Sequence, residues 1–194
     1  MKYSNKRDDI LQAALELIAE NGFHGTSTRM ITEKAGVGTG TIYCYFTSKE
    51  ELIIEVRHLL EENILLAVEG DYPFSNKTVK KTFFHLCKTV FTFFITHPTH
   101  FRFLEQYIDS PYGKSMHIRR IMGTTREHNL FQEIVEEGIK QKVIKDLPLF
   151  IHFALAFGPI VMLAQNHVHG LVELDDAQIH RAIEAVWDAI KRYE

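Results

Sequence analysis

The sequence predicts an all-α fold of about nine helices, arranged as an N-terminal three-helix helix-turn-helix domain over 1–47 and a larger C-terminal helical domain over 48–194. Three observations carry this. Between Gly and Pro punctuation marks, apolar residues recur at helical spacing. No run shows sustained period-two alternation, so no sheet is expected. Near the N-terminus, two short helical segments flank a glycine-containing turn, the signature of a helix-turn-helix.

Helix by helix, the reasons are local. Over 5–21, Ile10, Ala14, Leu17 and Ile18 form one apolar stripe, Asp8 and Asp9 sit at the positive dipole end, and Gly22 follows the end. Ser27 or Thr28 caps a short helix holding Ile31 and Ala35, closed by Gly36. After the Gly36-Val37-Gly38 turn comes a third helix over about 38–45. Ser48-Lys49-Glu50-Glu51 reads as a capping box opening a long helix through Leu52, Ile53, Val56, Leu59 and Leu60 toward Gly70. A connector over 71–76 precedes a helix from about 77 to 96, stopped by His97-Pro98; another covers about 99–109. A longer one is expected over roughly 115–140 with a break near Gly123, Pro148 opens the next toward Gly170, and Asp175 to Gln178 caps a last helix carrying Ile179, Ile183, Trp187 and Ile190.

Composition bounds the class. Of 194 residues, 45% are hydrophobic and 24% charged, which fits a packed domain rather than disorder or collagen. The net charge of −3 gives no sign of nucleic acid, and residues 1–49 hold six Lys or Arg against five Asp or Glu, so DNA contact must rest on where charges sit. Cys44 and Cys87 form no CxxC pair, which argues against a zinc site or disulfide framework and fits a reducing cytosol. The N-terminus lacks the apolar core of a signal peptide, and a cytoplasmic location is expected. Leu147 to Ala164 contains no Asp, Glu, Lys or Arg, yet two prolines, His152 and the lack of basic flanks favour burial in protein over a membrane span.

Function concentrates in 26–46. Val37 and Ile42 face inward, leaving Thr39, Thr41 and Tyr43 to face a major groove, with Tyr45 and Lys49 placed for phosphates. Tyr43 and Tyr45 also admit a core reading, and Phe46 favours one. The Gly36-Val-Gly38-Thr-Gly40 run follows a helix, not a strand, so it fails as a nucleotide loop.

The residues from Ile10 through Ala13-Ala14, Phe23, Thr26, Ile31, Ala35-Gly36-Val37, Gly40-Thr41-Ile42-Tyr43-Cys44-Tyr45-Phe46 and Ser48-Lys49-Glu50-Glu51-Leu52 resemble the TetR family of transcriptional regulators. The resemblance covers the first quarter of the chain closely. It implies a homodimer that binds a palindromic operator in double-stranded DNA, mostly as a repressor, and a C-terminal domain that binds a small-molecule effector and dimerises. Position by position, it implies Thr28 and Arg29 at the start of the second helix, Thr41 and Tyr43 at bases or phosphates, and Tyr45 and Lys49 at phosphates. Gly38 and Thr39 depart from the family's usual Ser and Lys, so readout here leans on threonine methyls, Arg29 and DNA shape.

Seven of the fourteen phenylalanines lie between Phe83 and Phe103. A plain aromatic core explains any one of them; the resemblance adds the expectation of a cavity without saying which residues line it, and Phe91, Phe94, Phe101, Leu104, Tyr107, Met122, Phe131 and Phe157 are the candidate lining for an apolar or aromatic effector. The last two helices are expected to form the dimer interface, with Trp187 as an anchor. Eleven histidines raise metal sensing, but no spacing has ligand geometry, and no cofactor or metal is expected. A helical enzyme lacks a nucleophile elbow or paired carboxylates; a dimeric DNA-binding regulator without any effector stays open.

Overall fold

The computed structural model describes residues 5–70, 77–114, 118 and 129–193. Among them lie α1 (Lys6–Gly25), α2 (Thr28–Lys34), the 3-10 helix Thr41–Cys44, α3 (Lys49–Glu69), α4 (Val79–Thr96), α5 (Pro98–Asp109), α6 (Leu130–Lys140), α7 (Leu149–Val168) and α8 (Asp176–Ile190), with residues 111–114 and 118 also helical. No strand occurs among the described residues; the sole β-type pairing there is an isolated bridge between Ile144 and Lys191.

Packing divides the chain into two units, Met1–Asn63 with His97–Lys114, and Ile64–Thr96 with Ser115–Glu194. The expected boundary between 47 and 48 separates the helix-turn-helix by function. The packing division is a different one, because it includes most of α3 and all of α5 in the first unit.

In the first unit, Ile10, Ala14, Leu15, Ile18 and Ile31 are almost wholly buried, and α1 packs on α2 and α5. Gly22 at φ +70 kinks the end of α1, and Gly36 at φ +66 reverses the chain after α2; both positions favour a residue without Cβ. Asn5 caps α1 by accepting from the Arg7 amide, and Ser27 caps α2 by accepting from the Met30 amide.

Two local expectations change. The third helix is a 3-10 turn over 41–44 and not an α-helix over 38–45, because Gly38 and Gly40 disfavour an α-helical start. The capping box at α3 is half formed: Ser48 Oγ accepts from the Glu51 amide at 3.2 Å, but the Glu51 carboxylate takes the Thr47 amide and hydroxyl at 2.5 and 2.6 Å, two donors offered by one residue. α6 starts at Leu130, capped by Asn129, whose side chain accepts from the Gln132 amide. Gly123 lies outside the described residues, as does the connector 71–76.

The second unit packs α4 against α6, α7 and α8, and α7 against α8. Its core contains Phe83, Phe91, Ile160, Ile183 and Ile190. The capping box at α8 is complete, with Asp175 and Gln178 each accepting from the other's amide. α7 is the one described helix long and apolar enough to cross a membrane by length and composition, yet one side of it is core. His152, Ala156, Ile160 and Ala164 repeat every four residues and are wholly buried. Phe150, Ala154, Gly158 and Met162 repeat at the same spacing two residues earlier, about 160° around the helix, and are exposed.

Candidate nucleic-acid interface

The turn after α2 sets the candidate surface. Gly36 turns the chain, the Val37 amide bonds to the Thr32 carbonyl, and i→i+3 bonds from the Thr41 and Tyr43 amides to Gly38 and Gly40 wind the 3-10 helix. Ile42 and Phe46, each 2% exposed, anchor it from beneath. A four-residue 3-10 turn offers three faces, so with Ile42 inward its neighbours project out. Thr39 is exposed, Thr41 half-buried, and Tyr43 and Tyr45 are 59% and 40% exposed. This favours the outward reading for both tyrosines and the core reading for Phe46. Cys44 shares the exposed turn, its thiol directed at the Gly40 carbonyl.

Thr28 opens α2 and is half-buried, while Arg29 is exposed and ion-paired with Glu33 at 2.8 Å. The Glu33 carboxylate beside it raises the guanidinium pKa further, so Arg29 is a cation already aimed along the α2 surface. Across the α1–α2 packing, Lys34 pairs with Glu16 at 2.8 Å, and that ammonium holds the Glu16 carboxyl below its ordinary range.

Lys49 does not stand free beside Tyr45. Its ammonium donates to the carbonyls of Phe23 and Thr26, and the side chain is half-buried. The sequence places it among phosphate ligands because its motif position is all that the sequence gives; the fold brings the end of α1 to it.

A further contact escaped the sequence reading. Ser110-Pro111-Tyr112-Gly113 reads only as a loop, but residues 111–114 are helical and Tyr112 packs edge-on to Phe23 at 5.7 Å. Its hydroxyl donates to Glu50 Oε1 at 3.4 Å, and Gln106 lies against Gly22. α5 therefore belongs to the body of the first unit. Only a tyrosine just past an amphipathic helix hinted at this.

The eight expected effector residues do not form one described group. Phe91, Phe94, Phe131 and Phe157 belong to the second unit; Phe101, Leu104 and Tyr107 belong to the first; Met122 lies outside the described residues. Phe131 and Phe157 meet edge to face at 5.0 Å, and Phe153 completes their cluster at 5.8 and 4.8 Å. Tyr107 stacks on Phe103 and donates to the Tyr112 carbonyl at 3.3 Å, so part of its role is structural. In the second unit an open groove of about 550 Å³ is lined by Lys77, Lys80, Lys81, Phe84, His180 and Glu184, none of them among the eight. Trp187, expected as an interface anchor, is 6% exposed and packs on Phe83 at 5.4 Å within its own subunit, because α8 turns that face to α4.

His152 is a polar group the sequence did not single out for function. It is wholly buried, and neither ring nitrogen is hydrogen-bonded among the described residues. Burial pushes its imidazole pKa down, an effect the Lys145 backbone and the Asp146 carboxylate offset only in part. Among the described residues no cluster of three His, Cys, Asp or Glu side chains could hold a metal ion.

Comparison with known proteins agrees with this fold over most of the chain. The model of bacterial regulatory proteins, tetR family, matches residues 10–56, and that of the tetracyclin repressor-like C-terminal domain matches 78–191. The probable HTH-type transcriptional regulator YttP of Bacillus subtilis (strain 168) is 34% identical over 175 residues, 84% of this chain and 78% of that protein. A putative TetR-family transcriptional regulator from Vibrio parahaemolyticus superposes with a TM-score of 0.76 at 31% identity, covering 97% of this chain and all 100% of that one. FadR from Bacillus subtilis, solved in complex with stearoyl-CoA, shares the fold with a TM-score of 0.72 at 22% identity, covering 93% of this chain and 95% of its own.

Proposed function

Because this chain belongs to the TetR family of bacterial transcriptional regulators, we propose that it is a cytoplasmic homodimeric repressor, bound to a palindromic operator and released by a small apolar or aromatic effector. The observation that carries the DNA reading is the exposure of Thr39, Tyr43 and Tyr45 on a turn held rigid from beneath by Ile42 and Phe46. Thr41, Thr28 and Arg29 flank them. Short uncharged side chains at Thr39 and Thr41 suit contact with thymine methyls, and the tyrosine hydroxyls suit phosphate oxygens. Arg29 exchanges its Glu33 partner for DNA.

The exposed stripe of α7 supports the dimer. Only 22% of the helix's most apolar window is buried within the subunit, and Phe150 and Met162 remain 45% and 56% exposed. An apolar face of that length is covered by another protein surface in a soluble chain. A second copy, packing α7 and α8 about a two-fold axis, matches the symmetry of a palindrome.

An apolar effector suits the second unit, where Phe91, Phe94, Phe131 and Phe157 supply aromatic surface. FadR, of the same fold, is seen with stearoyl-CoA, so acyl-CoA thioesters are the first probes. The roles of Phe101, Leu104, Tyr107 and Met122 are proposed on the same footing. The relatives act as transcriptional regulators, and a catalytic role is not part of this reading.

The test is selection of duplexes from a random pool followed by affinity measurement. An inverted repeat is expected, with Tyr43→Ala weakening its binding by about tenfold while the melting curve stays put, roughly the loss of one good contact. Recovery of no preferred duplex, or full affinity in Tyr43→Ala, argues against the assigned surface.

A further inference from the structure

Lys49 departs furthest from the role its position in the motif suggests. It is the first residue of α3, where a cation opposes the positive end of its own helix dipole. The fold resolves that conflict. The ammonium reaches back 26 residues to the Phe23 carbonyl at 2.5 Å and 23 residues to the Thr26 carbonyl. Phe23 lies in the last turn of α1 and Thr26 is its C-cap. Both carbonyls follow the Gly22 kink, in the turn that leads from α1 into α2. The charge that is misplaced on α3 finds two carbonyl acceptors there.

What it grips is also held from other sides. Phe23 is buried and edge-on to Phe103 and Tyr112. Thr26 is 1% exposed, and its hydroxyl donates to the Leu17 and Gly22 carbonyls. The very next residue, Ser27, caps α2. One ammonium thus ties the start of α3 to the loop from which α2 departs. To serve a phosphate instead, it would have to abandon two acceptors, both on buried residues, and leaving such groups unpaired is unfavourable.

We propose that Lys49 is a positioning residue for operator binding: it fixes the approach of α2 and the recognition turn by bridging α1 to α3, and does not neutralise a phosphate. The inference rests on the reading that this protein binds duplex DNA. It replaces the phosphate role expected of Lys49 and leaves that surface to Tyr43, Tyr45 and Arg29.

Two measurements test it. Operator affinity of the wild type, Lys49→Met and Lys49→Arg is followed from about 50 to about 200 mM salt. Positioning predicts that Lys49→Met loses about tenfold in affinity with the slope of log K against log salt unchanged. A slope smaller by about 0.9 in Lys49→Met, restored in Lys49→Arg, marks a phosphate contact and overturns the proposal. The second measurement needs no variant and stands even if Lys49→Met fails to fold. In the wild-type protein free of DNA, the Lys49 ammonium should give a resolved, slowly exchanging NMR signal that persists when operator is added. An ammonium averaged with the other lysines, or one that shifts to a phosphate-bound position with operator, overturns it. Absence of any duplex binding removes the DNA reading and this inference together, whereas a lost ammonium signal with intact operator binding removes this inference alone.

Discussion

The two packing units expose opposite chemistry. The first turns outward hydroxyls, a guanidinium and two tyrosine rings, each fixed by a cap, a glycine turn or a buried neighbour. The second turns outward a stripe of Phe150, Ala154, Gly158 and Met162 that water solvates poorly. A surface for phosphates is built from dispersed polar groups, because each must stay hydrated until DNA replaces the water. A surface for a second copy gains by removing apolar area from water and needs no charge at all. The net charge of −3 hides both, since one surface is locally balanced and the other uncharged.

The sharpest way to break this contrast is to put a charge where the second unit has none. Met162→Glu is expected to leave the subunit folded but yield a monomer by sedimentation equilibrium, with operator affinity lower by about 100-fold or more, as an unpaired carboxylate in an apolar interface demands. A dimer that survives places the interface elsewhere. Next in size is the core beneath it. Phe83 is wholly buried against Phe84 and Trp187, so Phe83→Ala should lower stability by about 3–5 kcal/mol in urea titration. A loss under about 1 kcal/mol would mean that the aromatic cluster collapses around the gap.

Acid should act through the buried imidazole. The unfolded chain takes up the His152 proton near pH 6.5, while burial makes the folded chain resist it. That stability is fully present above about pH 6.5 and is lost as pH falls toward the lower folded value. His100, half-buried beside His97 in the first unit, is shifted in the same direction by burial. His152→Leu should therefore flatten the fall of the urea midpoint between about pH 7 and 5 without abolishing it. An unaltered slope would assign the acid sensitivity elsewhere.

Smallest, and matched between units, are the helix caps. Ser27→Ala and Asp175→Ala should each lower stability by about 1 kcal/mol. Only Ser27→Ala should also weaken operator binding, because α2 starts there and α8 is remote in sequence from the DNA-facing turn. Equal effects on DNA from both caps would erase the distinction between the units.

Much of this was legible in the residues because it is local. A cap needs one side chain within three or four positions, so Ser27, Asp175 and Gln178 announce their helices. Gly22 and Gly36 mark turns because backbone at positive φ strains any residue with a Cβ. Ile42 and Phe46 read as inward-facing from the residues alone, whereas the outward face of Tyr43 and Tyr45 is decided by the fold. The effector residues were not legible in this way: a phenylalanine lining a cavity and one filling a core have the same sequence neighbours.

What the sequence by itself determined was the all-α class, the order of the helices and the location of the DNA-facing turn, since each follows from periodicity, capping and backbone strain over a few residues. Only the tertiary structure decided that Lys49 grips the end of α1, that Tyr112 and α5 join the first unit, that Trp187 is core, and that α7 has one buried and one exposed apolar side. Those facts depend on which distant segment arrives against a given side chain. No local rule encodes that, because the same apolar or cationic group is equally content with any partner that desolvates it well or satisfies its hydrogen bonds.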